Sequence, residues 1–224
     1  MMLEYGASTS HVNSRGSSAF WKACQCRHLE IAAVLMHHGA DVCRCNDAGF
    51  SPLRAVISGE NKSTNVGSIV QMLLGSGADV DRVDDHGRTP LWVVAQSVED
   101  EHFDAIAIAK MLVEAGADVN QADNDGRTPL WVACEHGFDE MVTYLLSHGV
   151  AVDTPDSDGR TALHTASLND HSSIIRLLVA NGAMVYAADT YAITPLYLAC
   201  SAGHLEAIST LLRLRADCAP RGWV

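Results

Sequence analysis

The sequence has no apolar run of the length that a membrane-spanning helix or a secretory signal requires. Residues 1–16 are mixed and polar, and no later stretch approaches the roughly 18 to 20 consecutive apolar residues of a transmembrane helix. We therefore expect a soluble protein of the cytoplasm, with the nucleus as the alternative compartment.

Basic residues are also scarce. The 224 residues include 15 Lys and Arg against 27 Asp and Glu, a formal net charge of −12 at pH 7. Such a chain repels phosphate backbones and anionic lipid surfaces at long range. The composition therefore argues against a nucleic acid or a membrane as the partner.

Cysteine does not form a disulfide pattern. The seven cysteines are odd in number and scattered through a chain that is long enough to fold without cross-links. Thiols in a reducing compartment fit this better than a disulfide framework.

The sequence does contain an internal repeat. Residues 123–149 read DNDGRTPLWVACEHGFDEMVTYLLSHG, and related segments open at Asn13, Asn46, Asp84, Asp156 and Asp189. The turn glycine falls at Gly16, Gly49, Gly87, Gly126 and Gly159, with Ala192 in the sixth copy. The underlying unit is 33 residues long, and the second and third copies carry short insertions. A fixed period of this length predicts a stack of similar units.

Each copy predicts two helices. The hydroxyl of Thr128 is suited to capping the first helix, and Pro129 stands at the first helical position, where its missing N–H is no loss. Apolar residues such as Met141 and Leu145 recur at helical spacing in the second. A glycine in the left-handed conformation is expected to end that helix, at Gly39, Gly77, Gly116, Gly149 and Gly182.

A 33-residue unit with Asp-x-x-Gly-x-Thr-Pro-Leu, a Leu-Leu pair and a closing Gly-Ala resembles the ankyrin repeat, over about residues 13–219. The resemblance implies an all-α solenoid of stacked helix-turn-helix units with β-turn fingers, whose fingers and inner helices line a concave binding face. We place the repeats at about 13–45, 46–83, 84–122, 123–155, 156–188 and 189–219. A flexible segment at 1–12 and a tail at 220–224 flank them.

The sixth copy departs from the pattern at both glycine positions. Ala192 replaces the turn glycine and Arg215 the closing one, each costing on the order of 1 kcal/mol if the left-handed backbone is kept. We expect fraying at this end, and one interpretation is that the chain is a fragment of a longer array.

Catalytic and metal-binding motifs are not expected. Cys24 and Cys26 with Cys43 and Cys45 supply zinc-type ligands, but the two pairs should lie at opposite edges of the first repeat. No nucleophile elbow, His-Glu-x-x-His or phosphate-binding loop occurs. We therefore predict no enzymatic activity, no metal, no cofactor and no small-molecule ligand.

Aromatic residues replace the histidine that the family usually has after Thr-Pro-Leu. Trp21, Trp92, Trp131 and Tyr197 stand there, and only His164 keeps the histidine. We expect them to pack and to donate to loop backbone, with a contact to a ligand as the alternative. In the second repeat this position is occupied by Arg54, the largest departure from the pattern, and the local packing of that repeat is therefore uncertain from the sequence.

Asn120 matches a modification motif. The pattern of Leu112 followed by Asp118, Val119 and Asn120 looks like the sites that an asparaginyl hydroxylase modifies in animal ankyrin repeats. The alternative is that Asn120 is a structural choice in a turn.

The fingertips and the ends of the inner helices are the predicted partner-binding positions, because in the family these positions do not build the repeat. The candidates are Asp85, His86, Arg88, Asn124, Asp125, Arg127, Glu135, His136, Ser157, Asp158, Arg160 and Tyr191. Three of them are arginines one repeat apart. Either each is neutralised by an acidic neighbour, or together they bind carboxylates of an acidic partner.

The insertions are predicted between the two helices of repeats two and three, at about 58–66 and 98–104. The second is a charged loop with one aromatic, Phe103, which we count as a candidate anchor for a partner. A solvated loop without function is the alternative, because loop length is tolerated at little cost.

The sequence thus predicts a monomeric, non-enzymatic protein-interaction module that binds a polypeptide across the fingers and inner helices of repeats three to five. The first alternative is an adaptor or regulatory array of a larger protein, such as a ubiquitin ligase subunit or a kinase. The second is a structural scaffold with no discrete binding site.

Overall fold

The computed structural model describes residues 8–59, 65–97 and 104–218, with side chains through Leu214. Within these ranges the chain forms twelve α-helices, and its β-structure is an isolated bridge between Val12 and Ser18. The chain divides into two compact units, 1–118 and 119–224, which are described separately.

The first unit contains three helix pairs. They are α1 (Ala19–Gln25) and α2 (Leu29–His37), α3 (Pro52–Ile57) and α4 (Val66–Gly75), and α5 (Pro90–Gln96) and α6 (Ala105–Glu114). The second unit contains three more: α7 (Pro129–His136) and α8 (Asp139–Ser147), α9 (Ala162–Leu168) and α10 (Ser172–Ala180), and α11 (Pro195–Ala202) and α12 (Leu205–Cys218).

Side-chain oxygens cap the first helix of the pairs, as the sequence predicts. The hydroxyl of Thr128 accepts from the N–H of Trp131 at 3.2 Å. The same bond forms at Ser18, Ser51, Thr89 and Thr194. In the fifth copy the N–H of Thr161 also donates to Nδ1 of His164 at 3.1 Å, a reciprocal arrangement that satisfies an N–H left open at the helix start.

Apolar residues of the second helices form the core of each unit. Ile69, Leu73 and Leu112 are fully buried in the first unit, and Leu145 and Ile174 are fully buried in the second. The glycine after each of the first five second helices is left-handed, at Gly39, Gly77, Gly116, Gly149 and Gly182, with φ between 74° and 96°. The predicted stop signal is confirmed.

An aspartate or asparagine shapes each finger. Oδ1 of Asp123 accepts from the N–H groups of Asp125 and Arg127 at 3.0 and 2.8 Å, and the equivalent pair of bonds forms in the other five fingers. The opening residues concerned are Asn13, Asn46, Asp84, Asp156 and Asp189. Two bonds to one oxygen stabilise the turn from within the finger.

Neighbouring fingers are joined by backbone bonds within each unit. In the second unit the N–H of Ser157 donates to the carbonyl of Asp125 at 2.8 Å, and the N–H of Thr190 donates to the carbonyl of Asp158 at 2.9 Å. The contact is close, since a Cβ on Gly159 would lie 2.9 Å from the nitrogen of Thr190. Glycine is therefore required there by space as well as by its φ of 83°.

The sixth copy behaves differently at its two substituted positions. Ala192 keeps the left-handed conformation of the turn glycine, with φ of 60°. At Arg215 the helix does not stop, because α12 continues to Cys218 and reaches 14 residues, against nine for α8 and α10. The helix thus extends past the position where the repeat pattern would end it, and the expected fraying stays a prediction.

Two turns between helices use polar residues that the sequence did not single out. Arg27 is left-handed, and its guanidinium donates to the carbonyls of Val56 and Ile57, where α3 ends. Asp170 is also left-handed, and its Oδ1 accepts from the N–H of Ala207 in the first turn of α12 at 3.0 Å. Each side chain caps a helix of the following repeat.

Candidate protein-interaction surface

The third finger is built around the buried carboxylate of Asp84. Nε and Nη2 of Arg88 each lie 2.9 Å from its Oδ2, and the guanidinium lies over the ring of Trp92. Burial alone would raise the pKa of Asp84, but hydrogen bonds from the backbone and side chain of Arg88 hold it below its usual value. Asp85 and His86 are exposed beside this pair.

Arg54 reaches the same carboxylate from the second repeat. It is buried, its guanidinium stacks on the ring of Phe50 at 4.7 Å, and its Nη2 lies 3.5 Å from Oδ2 of Asp84. Its Nη1 donates to Oγ of Ser58. The second repeat therefore accommodates Arg54 through an aromatic contact and an ion pair.

The other two finger arginines lie in the second unit and are also paired. Nη2 of Arg127 lies 2.8 Å from oxygens of both Asp123 and Asp125. Nε of Arg160 donates instead to the next finger, to Oδ2 of Asp189 at 3.3 Å. Each of these arginines thus has an acidic neighbour, which is what neutralisation within the repeats predicts.

The fingertip side chains of the second unit point into solvent. Asn124, Asp125, Ser157 and Asp158 are all exposed, and Tyr191 is 71% exposed. The residues that shape and cap the repeats are, by contrast, largely buried: Asp123 and Thr128 are examples.

The inner helices of the second unit line a shallow cavity of about 110 Å³. Its lining includes Trp131, Glu135, Arg160, His164 and Leu168. Glu135 therefore reaches this cavity, whereas its exposed neighbour His136 lies 3.9 Å from the Glu135 carboxylate.

The aromatic residues and the histidine that follow the Thr-Pro-Leu motif differ in their hydrogen bonds and in their burial. Nε1 of Trp21 donates to the carbonyl of Phe50 at 2.7 Å, and Nε2 of His164 donates to the carbonyl of Ile193 at 3.1 Å, each bond joining one repeat to the next. Nε1 of Trp131 is buried without a hydrogen-bond partner among the described residues. Tyr197 is exposed, so its packing prediction is wrong in the sixth repeat.

Burial controls the charge of His164. It lowers the pKa of the imidazole, and the bond to the carbonyl of Ile193 only partly opposes this. The neutral ring, with its proton on Nε2, leaves Nδ1 as the acceptor for the N–H of Thr161.

The described cysteine side chains do not form part of a cluster of potential metal ligands. Cys24 and Cys134 are buried, and burial raises the pKa of the Cys24 thiol to about 12 and that of Cys134 higher than usual as well. Within the described ranges no three His, Cys, Asp or Glu side chains lie close enough together to hold a metal ion.

The insertion residues fall largely outside the described residues. Residues 60–64 and 98–103, which include Phe103, are in those gaps, so the role of the insertions and of Phe103 as an anchor stays a prediction. Among the helices that are described, none combines the length and apolarity needed to cross a bilayer.

Paired helices joined by exposed fingers define a helical repeat protein. A family model for "Ankyrin repeats (3 copies)" matches residues 55–156, 101–189 and 150–221, and one for "Ankyrin repeat" matches residues 15–47. The chain belongs to the ankyrin-repeat family, and its fold is the all-α ankyrin solenoid. A comparison with curated proteins finds no match. Ankyrin repeats are in general protein-interaction modules and are typically non-enzymatic.

Proposed function

We propose that this protein is a non-enzymatic interaction module that binds a polypeptide through its fingertip and inner-helix side chains. The supporting observation is that different residues of a finger stabilise the fold and face the solvent. In the fourth repeat, buried Asp123 and Thr128 hold the turn and the helix start, while Asn124 and Asp125 between them are exposed. Exposed side chains that neither shape the turn nor cap a helix are available for binding.

In the second unit the proposed surface combines residues of the fourth, fifth and sixth fingers with the end of α7. It consists of Asn124, Asp125, Arg127, Glu135, His136, Ser157, Asp158, Arg160 and Tyr191. Tyr191 supplies a large exposed ring, and tyrosine is a frequent anchor in interfaces because it buries much area with little loss of side-chain entropy. The cavity beside Glu135 and Leu168 offers space for a partner side chain.

In the first unit the proposed surface is the third finger, with Asp85, His86 and Arg88. Asp85 and His86 are exposed, and Arg88 is partly exposed above Trp92. Phe103 stays a candidate anchor on the sequence alone.

The test is affinity purification with quantitative mass spectrometry, using the full chain and two variants. The finger variant carries Asn124→Ala, Ser157→Ala and Tyr191→Ala. The control variant carries Glu140→Ala and Thr143→Ala, which are exposed on the second helix α8. We expect recurrent partners of the wild type to be lost from the finger variant and retained by the control. Equal recovery of all partners by the two variants would refute the proposed surface.

A further inference from the structure

Two guanidinium groups share one carboxylate in the first unit. Arg88 contacts Oδ2 of Asp84 with two nitrogens at 2.9 Å, and Arg54 contacts the same oxygen at 3.5 Å. The other oxygen of Asp84 is occupied by the N–H groups of His86 and Arg88. The carboxylate is therefore saturated, and the three ionised side chains carry one positive charge in excess.

The finger arginines of the second unit lack this excess. Arg127 contacts two carboxylates, those of Asp123 and Asp125, and Arg160 contacts Asp189. A second anion beside the cluster of the first unit would complete its charge pairing.

Arg54 also has an unused donor. The residue is 7% exposed, and its Nε is buried without a hydrogen-bond partner among the described residues. Burial lowers the pKa of Arg54, and repulsion from Arg88 lowers it further, whereas Asp84 opposes both effects. Such a group gains from an added acceptor, because a buried donor without a partner costs free energy.

The cluster reaches solvent through the finger. The side chain of Arg88 is 22% exposed, and the exposed residues Asp85 and His86 adjoin it. The ring of Phe50, on which Arg54 stacks, is half-buried in the preceding finger. An acidic side chain that approaches the third finger from solvent meets Arg88 before Arg54, and neighbouring side chains must move before it reaches Arg54.

We propose that the cluster of Arg54, Asp84 and Arg88 binds a carboxylate side chain of the polypeptide partner, an inference that rests on the proposed function. The planar guanidinium matches a carboxylate through two parallel hydrogen bonds, which lysine does not provide. The low local dielectric around a largely buried pair strengthens the attraction. The site selects a partner segment that carries Asp or Glu at this point.

Hexaglutamate peptide is a direct probe of the cluster. Arginine Nε–Hε signals of the full, isotope-labelled chain are followed by NMR during the titration. We expect saturable shifts of the Arg54 and Arg88 signals and none for Arg82, an exposed arginine of the same unit. Shifts that appear with inorganic phosphate but not with hexaglutamate would overturn the proposal, as would the absence of shifts at Arg54 and Arg88.

Substitutions measure the contribution of each guanidinium. Arg54→Met keeps an unbranched apolar side chain to lie on Phe50 and removes the charge, and we expect the dissociation constant for hexaglutamate to rise about tenfold. Arg82→Gln is the control with the same change of charge. If Arg54→Met does not fold by circular dichroism, Arg88→Gln takes its place. An equal loss of affinity in Arg82→Gln would show attraction by net charge alone and overturn the site.

The two proposals fail in different ways. If partners are captured through Tyr191 and the fingers of the second unit but hexaglutamate does not bind, the carboxylate site is wrong and the interaction module stands. If hexaglutamate binds at Arg54 but the finger variant keeps every partner, the proposed surface of the second unit is wrong.

Discussion

The backbone N–H of Ala151 donates to the side-chain oxygen of Asn120 across 2.7 Å, so that one loop after a second helix supports the next. The same relation recurs in the second unit, where the N–H of Met184 donates to Asp153 at 3.1 Å. In the first unit the N–H of Asp118 donates to Asp81, also at 3.1 Å. Asn120 therefore has a structural role in its turn, and its hydroxylation stays a prediction from the motif.

Replacing Asn120 should weaken the contact between the fourth repeat and the preceding loop. We expect Asn120→Ala to lower the free energy of unfolding by about 1 kcal/mol, because the N–H of Ala151 loses its acceptor. Urea unfolding followed by circular dichroism measures the change. Gln121→Ala, at an exposed neighbouring position, is the control, and an equal effect of the two substitutions would contradict the role of Asn120.

Substitutions at the turn residues of the fifth and sixth fingers, Gly159 and Ala192, should change the free energy of unfolding in opposite directions. Ala192→Gly should raise the free energy of unfolding by about 0.5 to 1 kcal/mol, because glycine adopts a φ of 60° without the strain of a Cβ. Gly159→Ala should lower the free energy of unfolding by about 2 kcal/mol or more. The new Cβ would strain the left-handed backbone and would also lie too close to the nitrogen of Thr190. Thermal unfolding of the two variants tests both signs. Destabilisation by Ala192→Gly would show that the turn is not strained.

The indoles of Trp21 and Trp131 predict different costs for the same substitution. Trp21→Phe removes the donor to the carbonyl of Phe50, whereas Trp131→Phe removes a buried donor that lacks a partner among the described residues. Both changes remove similar volume, so we expect Trp21→Phe to be more destabilising by about 1 kcal/mol or more. Urea unfolding of the two variants provides the comparison. Equal costs would mean that the bond to Phe50 contributes nothing net.

His164 predicts a loss of stability in mild acid. Its pKa is lowered in the folded protein, chiefly by burial, below the unfolded value of 6.5. Above pH 6.5 the ring is neutral in both states and stability is at its full value. As the pH falls below 6.5, the unfolded chain takes up a proton that the folded ring resists, and stability falls.

The matched variant is His164→Trp, which installs the residue found at Trp21 and Trp131. Free energies of unfolding are measured at pH 7.5 and pH 5.5 for both proteins, so that the other ten histidines cancel in the difference. We expect the wild type to lose more stability between these values than the variant. A variant with the same or a larger loss would assign the acid sensitivity to other groups.

The repeat pattern was predictable because its signals act over a few residues. The hydroxyl of Thr128 bonds to the N–H three positions along, and Asp123 bonds to N–H groups two and four positions along. Gly149 ends a helix through its own left-handed backbone conformation, without a partner elsewhere in the chain. Such signals are visible in a single copy, and the six copies repeat them.

The candidate surface was predictable only in outline. Exposed fingertips such as Asn124 and Asp158 follow from the repeat, but the excess charge at Arg54 does not. Arg54 stood out as a departure from the pattern, and nothing in its neighbours indicated that it would meet Asp84, thirty positions later. The caps supplied by Arg27 and Asp170 were missed for the same reason, since their partners lie in the following repeat.

The sequence by itself determined the 33-residue unit, the turn and cap of each finger, and the ends of most second helices, because these depend on hydrogen bonds and backbone angles within one unit. Only the tertiary structure decided which carboxylate each arginine binds. Arg88 binds Asp84 of its own finger, whereas Arg160 binds Asp189 of the next. The two arginines occupy equivalent positions in the repeat. Which aspartate each one binds depends on distances between packed repeats, and these cannot be read from the amino-acid sequence.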